Sequence, residues 1–153
     1  SIVSRRVEHT IDTTFELVDL IKSVLPQKVL NKKGHPAKRS FQAIRMEVNG
    51  ELDQLQVALE AGIHRLKPGG RLCVITFHSL EDRLVKNAFK AVATPKKVDR
   101  RLPATGIEVL EYRFINKKPI IASDEELAAN KRSHSAKLRG IERIRESANE
   151  EKK

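Results

Sequence analysis

Apolar positions recur at helical spacing through the first half of the chain and collect into short runs in the second. Leu17, Leu20, Ile21 and Val24 lie three or four residues apart behind Thr13 and Glu16, which form a capping-box pair, and Pro26 ends the run. The spacing predicts a helix over about 14–25. Ahead of it, residues 1–9 carry only Ile2, Val3 and Val7 as apolar anchors and read as the end of a helix or an entry segment. Residues 28–34 are a polar, glycine-ended loop with three lysines, either a phosphate contact or a solvated link. Beyond Pro36, Phe41, Ile44, Val48, Leu52, Leu55, Leu59, Ile63 and Leu66 mark one apolar stripe. Asn49-Gly50 interrupts it, which predicts two helices or one kinked helix.

The pattern then changes period. Lys67-Pro68-Gly69-Gly70 reads as a tight turn, and RLCVITF at 71–77 has the length and β-branching of a buried parallel strand. Ser79 with Asp82 is expected to cap a further helix that carries Leu84, Val85, Ala88 and Phe89. Residues 94–106, with two prolines, read as an exposed loop. A strand follows at 107–115, then a short helix over about 124–130 behind Ser123 and Glu126. Residues 136–144 fit a strand or a helix on pattern alone. Helix, turn, strand, helix gives an α/β fold class.

Charge narrows the choice of partners. The chain has 153 residues with 30 Lys+Arg against 20 Asp+Glu, a net charge of +10, so polyanions are favoured and nucleic acid is the first candidate. One cysteine, Cys73, rules out a disulfide framework and points to a reducing, cytoplasmic compartment. No apolar run approaches the length needed to cross a bilayer, so no membrane is expected. The five histidines, His9, His35, His64, His78 and His134, show no metal-ligand spacing, and no metal is assigned.

Two clusters carry candidate chemistry. In the first, Lys38, Gln42 and Arg45 share a helix face, with Arg39 and Asn49 nearby; this is either a face for phosphates and a base edge or an ordinary solvated basic face. The second, Phe77, His78, Ser79 and Arg83, follows a strand directly, where the carboxyl ends of α/β strands meet ligands. His78 and Ser79 are adjacent and lack a Gly-x-Ser-x-Gly turn, which argues against a nucleophile and its base. Glu81 and Arg83 pair with each other or with the preceding helix. Gly69-Gly70 precedes a strand, whereas a phosphate-cradling loop follows one.

HPAKRSFQAIRMEVNGEL at 35–52, LKPGGRLCVITFHSLEDRLVK at 66–86, KKP at 117–119 and NKRSHSAKLRGIER at 130–143 closely resemble the MraW/RsmH family of small-subunit rRNA cytosine N4-methyltransferases. The resemblance covers nearly the whole chain, with departures at Ser40, Met46, Thr76, Leu84 and His134, the last standing where arginine is expected. It implies the C-terminal half of a Rossmann-like class I methyltransferase sheet plus the end of a helical insertion domain. On that division 1–35 ends the RNA-recognising insertion, 36–145 is the half-domain, with strands at 71–77, near 107–115 and at 136–144, and 146–153 is a disordered charged tail.

For the intact enzyme the resemblance implies S-adenosylmethionine as methyl donor and 16S rRNA of the small ribosomal subunit as substrate. The first strand, its glycine-rich loop and the acidic motifs that the family places earlier have no match here. No cofactor-binding residue is therefore assigned, the catalytic residues are expected in the N-terminal half, and the fragment alone is expected to be inactive and free of cofactor. Phe77 would stack the cytosine, Lys38, Arg39 and Arg45 would hold phosphates, and the 77–83 loop and the 38–49 helix would form one wall of its pocket. The alternatives are a stand-alone basic RNA-binding module and a structural fragment that self-associates through an exposed sheet edge.

Overall fold

A computed structural model describes residues 1–95 and 110–145, and it divides the chain into two compact units, Ser1–Glu51 and Leu52–Lys153. Expectations for 96–106, for 107–109 and for the tail lie outside the described residues.

The first unit is helical: α1 (Ile2–Glu8), α2 (Thr14–Val24), α3 (Gln27–Leu30) and α4 (Lys38–Asn49). At the start of α2 the Thr13 hydroxyl accepts from the Glu16 amide, and the Glu16 carboxylate accepts from the Asp12 and Thr13 amides. Those backbone bonds, the Asp12 one foremost, hold the Glu16 carboxyl below its ordinary value. The first residues of the expected loop at 28–34 lie instead in α3, a single helical turn that follows Pro26. Gly50 ends α4 in the left-handed region at φ 59°, where a side chain is disfavoured, and α5 (Glu51–His64) restarts at once. The stripe at 37–66 is therefore two helices.

The second unit places α5 and α6 (Ser79–Ala93) against one face of a small sheet built from β1 (Arg71–Thr76), β2 (Tyr112–Phe114), β3 (Ile120–Ile121) and β4 (Lys137–Arg143). β4 is central: β1 pairs along one side of it, β2 and β3 along the other, and all three pairings are antiparallel. The ambiguous 136–144 segment is thus a strand. Leu59 and Ile63 of α5, Val85, Phe89 and Ala93 of α6, Tyr112 and Ile141 form the core, and fully burying a side chain such as Phe89 contributes about 1.5–3 kcal/mol. The Tyr112 hydroxyl donates to the Ile63 carbonyl at 3.1 Å, so the buried ring has a satisfied polar end. α5 approaches β1 closely at Gly62, where a Cβ would meet Leu72 at 3.3 Å.

The segment 71–77 is not the buried parallel strand that its composition predicts. β1 runs antiparallel to β4, its only partner among the described residues, and its residues alternate between exposed and half-buried up to Thr76. Leu72 and Val74 face the core, while Cys73 and Ile75 face away from it. An apolar run of this length is equally compatible with one covered face when the uncovered positions are themselves apolar. Two elements had no signal in the sequence: β3, and a 3-10 turn over Lys131–Ser135 that follows α7 (Asp124–Ala129). α7 itself begins as expected, with the Ser123 hydroxyl accepting from the Glu126 amide.

Candidate nucleic-acid interface

In the first unit, Ala37 opens α4 without a side-chain cap; its amide donates to His35 Nδ1 at 3.3 Å. Lys38, Arg39, Arg45 and Asn49 are exposed along the helix and Gln42 is half-buried. Their charges are not equally available. Arg45 makes a two-point contact with Glu51, Nε to Oε1 at 2.9 Å and Nη2 to Oε2 at 3.1 Å, and the Asn49 amide donates to the same carboxylate at 3.1 Å. A guanidinium held this way is oriented but partly neutralised. Lys38 and Arg39 have no such acid among the described residues.

In the second unit the turn between β1 and α6 is built on Glu81. Its Oε2 accepts from the Phe77 amide at 2.8 Å and the His78 amide at 3.2 Å, while its own amide donates to His78 Nδ1 at 3.3 Å. His78 is therefore the capping residue of α6, and His78 with Glu81 is the capping box. This corrects the expected Ser79–Asp82 cap by one position. An unprotonated imidazole nitrogen accepts a backbone N–H as a serine oxygen does, though histidine is not among the preferred caps. Glu81 pairs with this turn rather than with Arg83 or the preceding helix. The other ring nitrogen, Nε2, is buried and has no hydrogen-bond partner among the described residues, although Glu81 Oε1 lies 3.4 Å away.

Asp82, freed from capping, is nearly buried and accepts from Arg139 Nε at 2.7 Å and Nη2 at 3.2 Å, with Lys137 Nζ at 3.5 Å. The Arg139 hydrogen bonds hold its carboxyl below the ordinary value against the opposing effect of burial. What the turn presents outward is the Phe77 ring, 56% exposed, with Ser79 and Arg83 also exposed. An exposed aromatic ring on a hydrogen-bonded turn has a face on which a base can stack.

The model of the MraW methylase family matches residues 1–144. The chain belongs to the MraW methylase family. Among its curated relatives, the Ribosomal RNA small subunit methyltransferase H of Lactobacillus delbrueckii subsp. bulgaricus is 52% identical over 145 residues, 94% of this chain and 46% of the relative. The proteins of the same name from Exiguobacterium sibiricum and Oenococcus oeni are 49% identical over 151 residues and 50% over 143, covering 48% and 46% of their lengths. The chain spans about half the length of the curated relatives it matches.

A methylase family implies a nucleoside-bearing methyl donor, and the described glycines do not fit its cradle. The Gly69 amide donates to the Arg143 carbonyl at 2.7 Å and the Gly70 amide to the Lys67 carbonyl at 2.8 Å, so both serve the turn and the sheet. Gly50 terminates a helix, Gly62 lies within one, Gly140 lies within β4, and Gly34 follows α3 rather than a strand.

Proposed function

We propose that this chain is the RNA-facing part of an S-adenosylmethionine-dependent methyltransferase acting on the N4 amino group of a cytosine in 16S rRNA, and that it forms the closing part of a Rossmann-like sheet with the end of a helical insertion. The observation that carries this reading is the family match over 1–144 at about 50% identity to proteins named for small-subunit ribosomal RNA methylation. Phe77 stacks the base, Ser79 and Arg83 contact the flanking strand, and His78 acts by holding the turn. On α4, Lys38 and Arg39 bind phosphate directly, Gln42 and Asn49 offer amides, and Arg45 binds with its orientation set by Glu51. The catalytic acceptors and the donor cradle belong to the remainder of the intact enzyme, so the chain alone neither holds the donor nor methylates.

The test uses a protein of the relatives' full length that carries this chain. Transfer of labelled methyl groups to small-subunit rRNA, mapped by mass spectrometry to a cytosine N4, is expected, together with no calorimetric binding of the donor to residues 1–153 alone. Methylation at another atom, or tight donor binding by the isolated chain, would overturn the reading. The net charge of +10 favours a second reading, an RNA-binding module without catalysis, which predicts salt-dependent RNA affinity but no methyl transfer by the longer protein.

A further inference from the structure

We infer that the 3-10 turn Lys131–Ser135, with Lys137 just after it, is a second RNA-phosphate contact on the sheet end that carries Phe77, an assignment that rests on the RNA reading above. The turn is held by its own polar groups. The Asn130 side chain accepts from the Arg132 amide at 3.1 Å, the Ser133 hydroxyl donates to the Asn130 carbonyl at 2.7 Å, and the Ala136 amide donates to the Ser133 carbonyl at 2.9 Å. Ser133 is buried by this arrangement, while Lys131, Arg132 and His134 are left exposed.

Among the described residues, none of those three has an acidic partner within ion-pair distance. The nearest acids in sequence, Asp124, Glu125 and Glu126, sit in the first turn of α7, where they complement the helix dipole at the end away from the turn. Elsewhere in this unit the arginines of β4 are committed: Arg139 to Asp82, and Arg143 to the Leu66 carbonyl at 2.7 Å. Those two arginines of β4 serve the fold, whereas Lys131 and Arg132 stand exposed on the turn with no such role. Lys137 adds to them, since Asp82 already balances Arg139 and one carboxylate between two cations leaves a net positive charge.

Register fixes the location. Lys137 lies opposite Thr76, the residue before Phe77, and Thr76 Oγ1 contacts the Lys137 carbonyl. From His134 to Phe77 the path through Lys137 and Thr76 spans at most about 20 Å, so a short stretch of one RNA strand can reach both the ring and the turn.

The test measures binding of a fluorescein-labelled single-stranded RNA of the 16S sequence to the chain by anisotropy across a salt series. Lys131→Glu with Arg132→Glu should weaken binding roughly tenfold or more and flatten the log–log salt slope by about 1.4. Arg65→Glu with Lys67→Glu makes the same charge change at the opposite end of the sheet and should leave most of the affinity. Equal losses in the two pairs mean a net-charge effect and overturn the assignment. Loss of binding in Lys38→Glu but none in the turn variant overturns it alone, whereas no salt-dependent binding by the unaltered chain overturns the RNA reading with it. Thermal melts check folding, and Lys131→Gln with Arg132→Gln replaces the first pair if the glutamates unfold the turn.

Discussion

Arg139 grips Asp82 with two hydrogen bonds, 2.7 Å from Nε to Oδ1 and 3.2 Å from Nη2 to Oδ2, and so ties the central strand β4 to the first turn of α6. Both side chains are largely shielded from water, Arg139 at 14% and Asp82 at 12% exposure. Removing one partner leaves the other charge uncompensated. Asp82→Ala is expected to lower unfolding free energy by roughly 3 kcal/mol, measured by urea denaturation, and combining it with Arg139→Met should recover part of the loss. An Asp82→Ala chain as stable as the original would show the pair to be idle.

The same pair sets a pH dependence. The Asp82 carboxyl lies below its ordinary 3.8 in the folded chain, so its contribution is fully present above that value and is lost as pH falls through the depressed folded value. Acid titration of stability should therefore show a destabilising limb below about pH 4 that is shallower in Asp82→Asn. Identical limbs would assign the acid sensitivity elsewhere.

Tyr112→Phe keeps the ring in the core but removes a hydroxyl that donates to the Ile63 carbonyl, which retains the Leu66 amide as a donor. A cost of about 1–2 kcal/mol is expected in denaturant melts, with the m-value unchanged.

Gly50 carries φ 59° at the junction of α4 and α5. Gly50→Ala should destabilise the chain by about 1 kcal/mol by calorimetry, since an L side chain there is strained. Stabilisation instead would mean that the two helices fuse into one.

Phe77→Ala changes a ring already in solvent, so the melting temperature should stay within a degree or so while RNA affinity falls by roughly tenfold, read by anisotropy with the labelled RNA. Unaltered affinity would remove the base-stacking role.

Helices were the most legible part of the sequence. Thr13 with Glu16, Ser123 with Glu126, and Asn49-Gly50 are local signals, and each appears in the structure where its chemistry places it. Strand direction was not legible, because 71–77 has the same residues whether its neighbour runs parallel or antiparallel, and only the partner β4 decides. The cap of α6 was not legible, because Ser79 is a favoured capping residue and His78 is not, yet Glu81 selects His78 by bonding the two amides before the helix. Glu51 as the partner of Arg45 had no signal beyond proximity across a turn, and the ordered cationic turn at Lys131–Ser135 depends on Asn130 and Ser133, ordinary polar residues until their bonds are seen.

Because Glu81 occupies the amides of Phe77 and His78, the positive pole of α6 is already answered by an internal anion. A nucleotide arriving at that helix end meets no spare donors for its phosphate from those two amides and finds a flat hydrocarbon surface instead. On the RNA reading proposed above, selectivity at this spot falls to the heterocycle, and the strand's negative charge is left to side chains such as Arg83 rather than to the backbone.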